Sequence, residues 1–119
     1  MDEITLDTVQ PLLDQYVDKT VYIHVEVTSG MYASHFNQEV FNAGTFVRNV
    51  AVNVKEATIK AGENEQYRVG IKLENGGWVY VVGLTHFIVN ESNEFILHGF
   101  NYEGKLASAL EISEQPFRK

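Results

Sequence analysis

A chain of 119 residues, 45% hydrophobic and 12% aromatic, is sized for a single domain around one core, and this composition excludes disorder. With 16 acidic against 9 basic residues the net charge is -7, a field that repels phosphate backbones and anionic headgroups; neither nucleic acid nor a membrane surface is an expected partner. The absence of cysteine excludes disulfides, thiolate metal sites and cysteine nucleophiles together.

The opening MDEITLDTVQ is acidic and lacks the basic flank and apolar run of a signal peptide, and no apolar run approaches the ~20 residues of a membrane span. A soluble cytoplasmic protein is the expectation. Asp7 or Thr8 is the predicted cap of a short helix with Pro11 in its first turn, where a missing N–H does no harm. Leu6, Val9, Leu12, Leu13, Tyr16 and Val17 form its apolar stripe, with Gln10, Asp14, Gln15 and Asp18 facing away. Such a helix is suited to covering one side of a sheet.

Thr20 to Ser29 alternates, with Val21, Ile23, Val25 and Val27 on one face and Tyr22, His24, Glu26 and Thr28 on the other, as in a strand with one buried face. Ser29 to Thr45 holds neither period, apart from a possible strand at 38–41, and reads as a long excursion carrying Met31, Tyr32, His35, Phe36 and Phe41. From Phe46 to Ala61 the parity changes partway. Phe46, Val50, Val52 and Val54 share one face while Ala57 and Ile59 take the other, which predicts a bulge or bend near Lys55-Glu56.

Gly62-Glu63-Asn64 turns the chain into the clearest hairpin signal, YRVGIKL, then Asn75-Gly76-Gly77, then WVYVVGL. A two-residue turn places Leu73 opposite Trp78, Ile71 opposite Tyr80, Val69 opposite Val82 and Tyr67 opposite Leu84; a three-residue loop through Gly77 is the alternative. The returning strand, apolar on both faces, is predicted to be central. Gly83 or Thr85 interrupts it before Phe87-Ile88-Val89, a polar turn spans Asn90 to Asn93, Phe95 to Phe100 is a further strand, and Leu106 to Leu110 is predicted as a short helical turn. The predicted fold is mainly β with a short N-terminal helix: a single domain over 1–119, built as a small, strongly coiled sheet or partly open barrel of five or six strands. An α+β open sheet with helices on one face is the fallback.

Candidate chemistry is sparse. His24 and Glu26 share a strand face, and His35, His86 or His98 could complete a metal set with them, although His-x-Glu arises often by chance. His98, between Ile96 and Phe100, reads instead as a satisfied core histidine. No Gly-x-Ser-x-Gly elbow and no P-loop occur, and the acidic residues fall mostly in turns, at the terminus or on the polar helix face. A pocket for a small anionic ligand is the other candidate. Tyr32, His35 and Phe36 from the long loop would close over Trp78 and Tyr80, with Arg48 and His86 as polar anchors. The competing reading of these rings is that they fill the core.

The segments YIHVEVTSGMYASHF (22–36), FVRNVAVNVKEATIKAG (46–62) and YRVGIKLENGGWVYVVGLTHF (67–87) resemble the YojF family of small proteins, and the resemblance extends along essentially the whole chain. It implies a compact, mostly β pseudobarrel folded from a mixed sheet. It also implies an association with a metal-dependent sugar deacetylase of the bacillithiol pathway, and it carries no catalytic residues to transfer. The resulting expectation is a non-enzymatic accessory module, without a cofactor, that binds a partner protein or small anionic ligand. The alternatives are a small metal-dependent hydrolase using a His/Glu cluster and a structural homodimer joined through an exposed strand edge.

Overall fold

The computed structural model describes residues 1–29 and 43–118. The possible strand at 38–41 and the loop residues Tyr32, His35 and Phe36 lie outside the described residues. Element by element, β1 is Asp2–Glu3, α1 Leu6–Asp14, β2 Thr20–Ser29, β3 Ala43–Ala61, β4 Tyr67–Leu73, β5 Trp78–Leu84, β6 His86–Val89, β7 Phe95–Phe100 and β8 Leu106–Ser113. The strands form one sheet in the order β1-β6-β7-β8-β2-β3-β4-β5, and it curls into a half-barrel. The architecture is thus mainly β with one short helix, but with eight strands among the described residues rather than five or six. Every pairing among the described residues is antiparallel, so the expected mixed sheet is corrected as well.

The helix begins earlier than predicted, its cap lying N-terminal to both Asp7 and Thr8. Thr5 is its cap, the side-chain oxygen accepting from the Thr8 amide at 3.3 Å. Pro11 consequently sits inside the helix rather than in its first turn, and Leu6 is exposed. Val9 and Leu13 are fully buried, and Tyr16, just beyond the helix, stacks on Phe95 with ring centroids 6.3 Å apart. Gln10 docks α1 onto β3 by donating to the Ala57 carbonyl at 2.9 Å and accepting from the Ile59 amide at 3.0 Å. With these residues, Val21, Ile23, Val54, Ile59, Val69, Ile71, Leu97, Leu110 and Ile112 close the core on one face of the curled sheet.

Two bulges shape the long β3. The expected one is present, the register with β4 shifting between Val54 and Glu56. A second was not anticipated: Ile23 pairs with Val50 but His24 with Arg48, so Asn49, at φ 58, is extruded. That extra residue inverts side-chain parity, and Phe46 faces solvent instead of sharing the core face of Val52 and Val54.

The hairpin takes neither predicted turn: its three-residue loop is Glu74-Asn75-Gly76, and Gly77 already pairs with Leu73 instead of lying in the loop. The Gly76 amide donates to the Leu73 carbonyl at 3.0 Å, the Leu73 amide donates to the Gly77 carbonyl at 2.9 Å, and Gly76 sits at φ 88. This is a turn closed by a glycine bulge. Lys72 therefore lies opposite Trp78, Ile71 opposite Val79, Gly70 opposite Tyr80 and Val69 opposite Val81. A one-residue slip exchanges the faces of a strand. Val79 and Val81 turn inward, and Trp78 and Tyr80 turn out. A shift between Tyr67 and Val69, beside Gly83 at φ 79, then restores the predicted pairing of Tyr67 with Leu84. Nor is β5 central: it is the last strand in the order.

The centre belongs to β8, where a helical turn was predicted. Flanked by β7 and β2, it buries Ser108, Ala109, Leu110, Ile112 and Ser113. The half-barrel is tight where β5 crosses β7 and β8. A Cβ on Gly99 would stand 1.9 Å from the Gly83 carbonyl oxygen, which only glycine permits.

Candidate functional site

The sequence-predicted site residues fall in separate places. The first is the sheet face opposite the core. Strand pairing sets His24 beside Arg48 on β3 and Glu111 on β8, while Glu26 pairs with Phe46 and Ala109, and Ala109 with His98. His24 is only 4% exposed. Arg48 Nη1 lies 3.1 Å from His24 Nδ1. A guanidinium can only donate, so Nδ1 is the acceptor, and Nε2 is left as the N–H facing Glu26 Oε2 at 3.4 Å and Glu111 Oε2 at 3.8 Å. Phe46 and Phe117 stand T-shaped to the imidazole, with ring centroids 5.1 and 6.5 Å from its own.

Arg48 does not wait for an anion. Its Nε and Nη2 donate to the Arg118 carbonyl at 2.9 and 2.5 Å, and its guanidinium carbon lies 5.2 Å from the Phe117 ring centre. Asn49 completes the clasp by accepting from the Phe117 amide at 2.6 Å and donating to the Phe117 carbonyl at 2.9 Å. The bulge thus has a purpose: it aims Arg48 at His24 and Asn49 at the C-terminal segment.

Burial shifts the neighbouring acid and imidazole away from their ordinary values. The Glu111 carboxyl is raised, chiefly by desolvation, against the pull of His24 and Arg48 and with smaller help from Glu94 and Glu26. His98 is lowered, again chiefly by desolvation, with Glu26 opposing and His24 reinforcing. His98 is half-buried on the face away from the core, edge-on to Phe100 at 5.9 Å, and so is not the core histidine expected; His24 is the buried one. His24 and Glu26 do meet, as their spacing implied, but Nδ1 is occupied by a cationic donor, and among the described residues no group of three or more His, Asp or Glu side chains is arranged to hold a metal.

The second place is beside β1 and β6. His86 pairs with His98 across β6 and β7, its Nδ1 is 2.7 Å from Thr85 Oγ1, and it lines a cavity of about 430 Å³ with Glu3, Thr5, Gln66, Tyr67 and Asn101.

The third is the outer face of β3, β4 and β5. Trp78 and Tyr80 are 59% and 56% exposed and lean over Gly70, where a Cβ would approach Tyr80 Cδ2 to 3.3 Å and Trp78 Cζ3 to 3.5 Å. They do not fill the core. Together with Glu56, Thr58, Lys60 and Arg68 they line a groove of about 320 Å³. Glu56 stands opposite Lys72, whose Nζ lies 5.9 Å from the Trp78 ring centre. Lys60 stands opposite Arg68, and among the described residues neither has an acid within ion-pair distance.

Three residues central to these sites were not singled out from sequence. Glu111 was obscured by the helical reading of 106–110; a strand reading would have put it on the face opposite Leu110 and Ile112, but only the pairing of β8 with β2 sets it beside His24. Lys60 and Arg68 looked like solvated strand residues until pairing made them neighbours.

The matched family model, "Protein of unknown function (DUF1806)", spans residues 3–117. The chain is 43% identical over 117 residues to "Uncharacterized protein YojF" of Bacillus subtilis (strain 168), covering 98% of each chain. Its fold is similar to that in "Crystal Structure of Bacillus subtilis YojF protein", with a TM-score of 0.79 and 39% identity over 99% of this chain and 97% of that one. A family match and a likeness that both span nearly the whole chain leave one assignment: this chain belongs to the DUF1806 family.

Proposed function

We propose that this protein is a binding module, not an enzyme, and that it takes a small anionic ligand bearing a ring into the outer groove of β3, β4 and β5. One observation carries the reading: Lys60 and Arg68 face each other with no acid within ion-pair distance among the described residues, next to two exposed aromatic rings, in a chain of net charge -7. Like charges directly opposite on a sheet repel. A carboxylate or phosphate between them would convert that repulsion into charge-assisted hydrogen bonds, while Trp78 or Tyr80 covers the attached ring. The His24 network supports the same choice by contrast, since its Arg48 is already committed to the chain's own C-terminal segment.

On this reading the chain serves an enzyme supplied in trans, and the sugar deacetylase implied by the family resemblance is the first partner to test by co-purification. The ligand test is direct, because Trp78 is the single tryptophan and reports on the groove itself. Its emission should respond saturably to benzoate or glucose 6-phosphate more strongly than to inorganic phosphate, and the response should disappear in a folded Lys60→Gln, Arg68→Gln double variant. An equal response in that variant, or none to any of the three probes, would sink the proposal.

A further inference from the structure

Among the described residues, the outer edge of β5 presents unpaired backbone and apolar side chains at the same residues. Because Leu73 and Gly77 form a bonded pair, alternation makes Ile71–Val79 and Val69–Val81 the bonded pairs and turns the N–H and C=O of Trp78 and Tyr80 away from β4. The same alternation turns out those of Val82. Among the described residues no strand lies beyond β5 in the order. Trp78, Tyr80 and Val82 are also its exposed large side chains, and between 78 and 84 there is no charged residue and no proline, the usual guards of a free edge.

From this we propose that β5 pairs antiparallel with β5 of a second copy of the chain, about a two-fold axis at Tyr80. In that register Tyr80 meets Tyr80 of the other copy, and Trp78 meets Val82. Each of these residues exchanges its outward N–H and C=O with its counterpart, and every facing side-chain pair is aromatic or apolar. A second copy fits better than a charged partner segment because the edge itself carries no charge to recognise one. Lys72 and Arg68 stand one strand back on β4, so pairing brings no basic residue opposite another. The inference rests on the strand edge and not on the ligand reading.

Sedimentation equilibrium on the full chain tests it, and should give a two-chain mass at rising concentration. Tyr80→Pro should restore the one-chain mass, since its lost N–H points away from β4 and costs the single chain no ladder bond. Val82→Lys, which sets a charge opposite Trp78 of the other copy, should do the same and covers the case in which the proline variant fails to fold. In the unmodified chain the amides of Trp78 and Tyr80 should exchange more slowly with hydrogen isotope as concentration rises, while those of Val79 and Val81 do not change. A one-chain mass up to the solubility limit overturns the proposal. So does a two-chain mass that survives Val82→Lys or leaves the Trp78 and Tyr80 amides freely exchanging.

Discussion

Arg48 is the hinge between His24 and the C-terminal segment: Nη1 meets His24 Nδ1 at 3.1 Å while Nε and Nη2 both meet the Arg118 carbonyl. The central strand β2 and the last described residues are therefore held by one planar group. Hydrogen bonds from a charged donor contribute about 1.5–3 kcal/mol each when buried and less at the partly exposed Arg118 end. Arg48→Met should cost roughly 2–3 kcal/mol in urea unfolding and should increase proteolysis after Ser113. Arg48→Lys should not rescue it, because an ammonium cannot fork between an imidazole and a carbonyl. An unchanged urea midpoint in Arg48→Met would refute the clasp.

Glu111 and His98 give stability a pH dependence of opposite sign. For Glu111, burial raises the folded-state value above the ordinary carboxylate value of 4.5, so the folded chain binds the proton more tightly; its contribution is fully present below that value and is lost as pH rises through the raised one. For His98, burial lowers the folded-state value below 6.5, so its contribution is present above 6.5 and is lost as pH falls through the lowered value. Glu111→Gln should remove the loss on the rising side, and His98→Gln the loss on the falling side. Melting temperatures from pH 4 to 8 for the three proteins check this; parallel profiles would show that neither group is buried as described.

The hairpin register can be read from two adjacent valines. Val81 is 1% exposed and Val82 57%. Truncating a buried valine removes two methyl groups and leaves a cavity, so Val81→Ala should cost about 2 kcal/mol. Val82→Ala should stay within about 0.5 kcal/mol. A two-residue turn at Asn75-Gly76 would reverse that order, so the pair discriminates between the registers in a single denaturation experiment.

Much of the element list was legible. Thr20–Ser29 and Phe95–Phe100 are strands with the predicted bounds, and the bulge beside Lys55 follows from a parity change that only an extra residue can produce. What failed were the places where local pattern is degenerate. WVYVVGL is apolar on both faces, so its own residues could not say which side was core, and the glycine loop decided. LASALEIS has no residue that bars a helix, and only its neighbours β7 and β2 make it a strand. Of the predicted site residues, Arg48 joined His24, Trp78 and Tyr80 lined a different groove, and His86 a third place, because they sit on strands that the curl of the sheet points apart.

By itself the sequence determined a cysteine-free, acidic β domain with one amphipathic helix and a strong hairpin, since composition and period-2 alternation act over a few residues at a time. The tertiary structure decided which faces became core, because a single extruded residue at Asn49 or the three-residue loop ending at Gly76 inverts the side chains along the strand as far as the next bulge. It also decided that Lys60 meets Arg68 and His24 meets Glu111, since cross-strand neighbours lie far apart in the chain and are joined only by register.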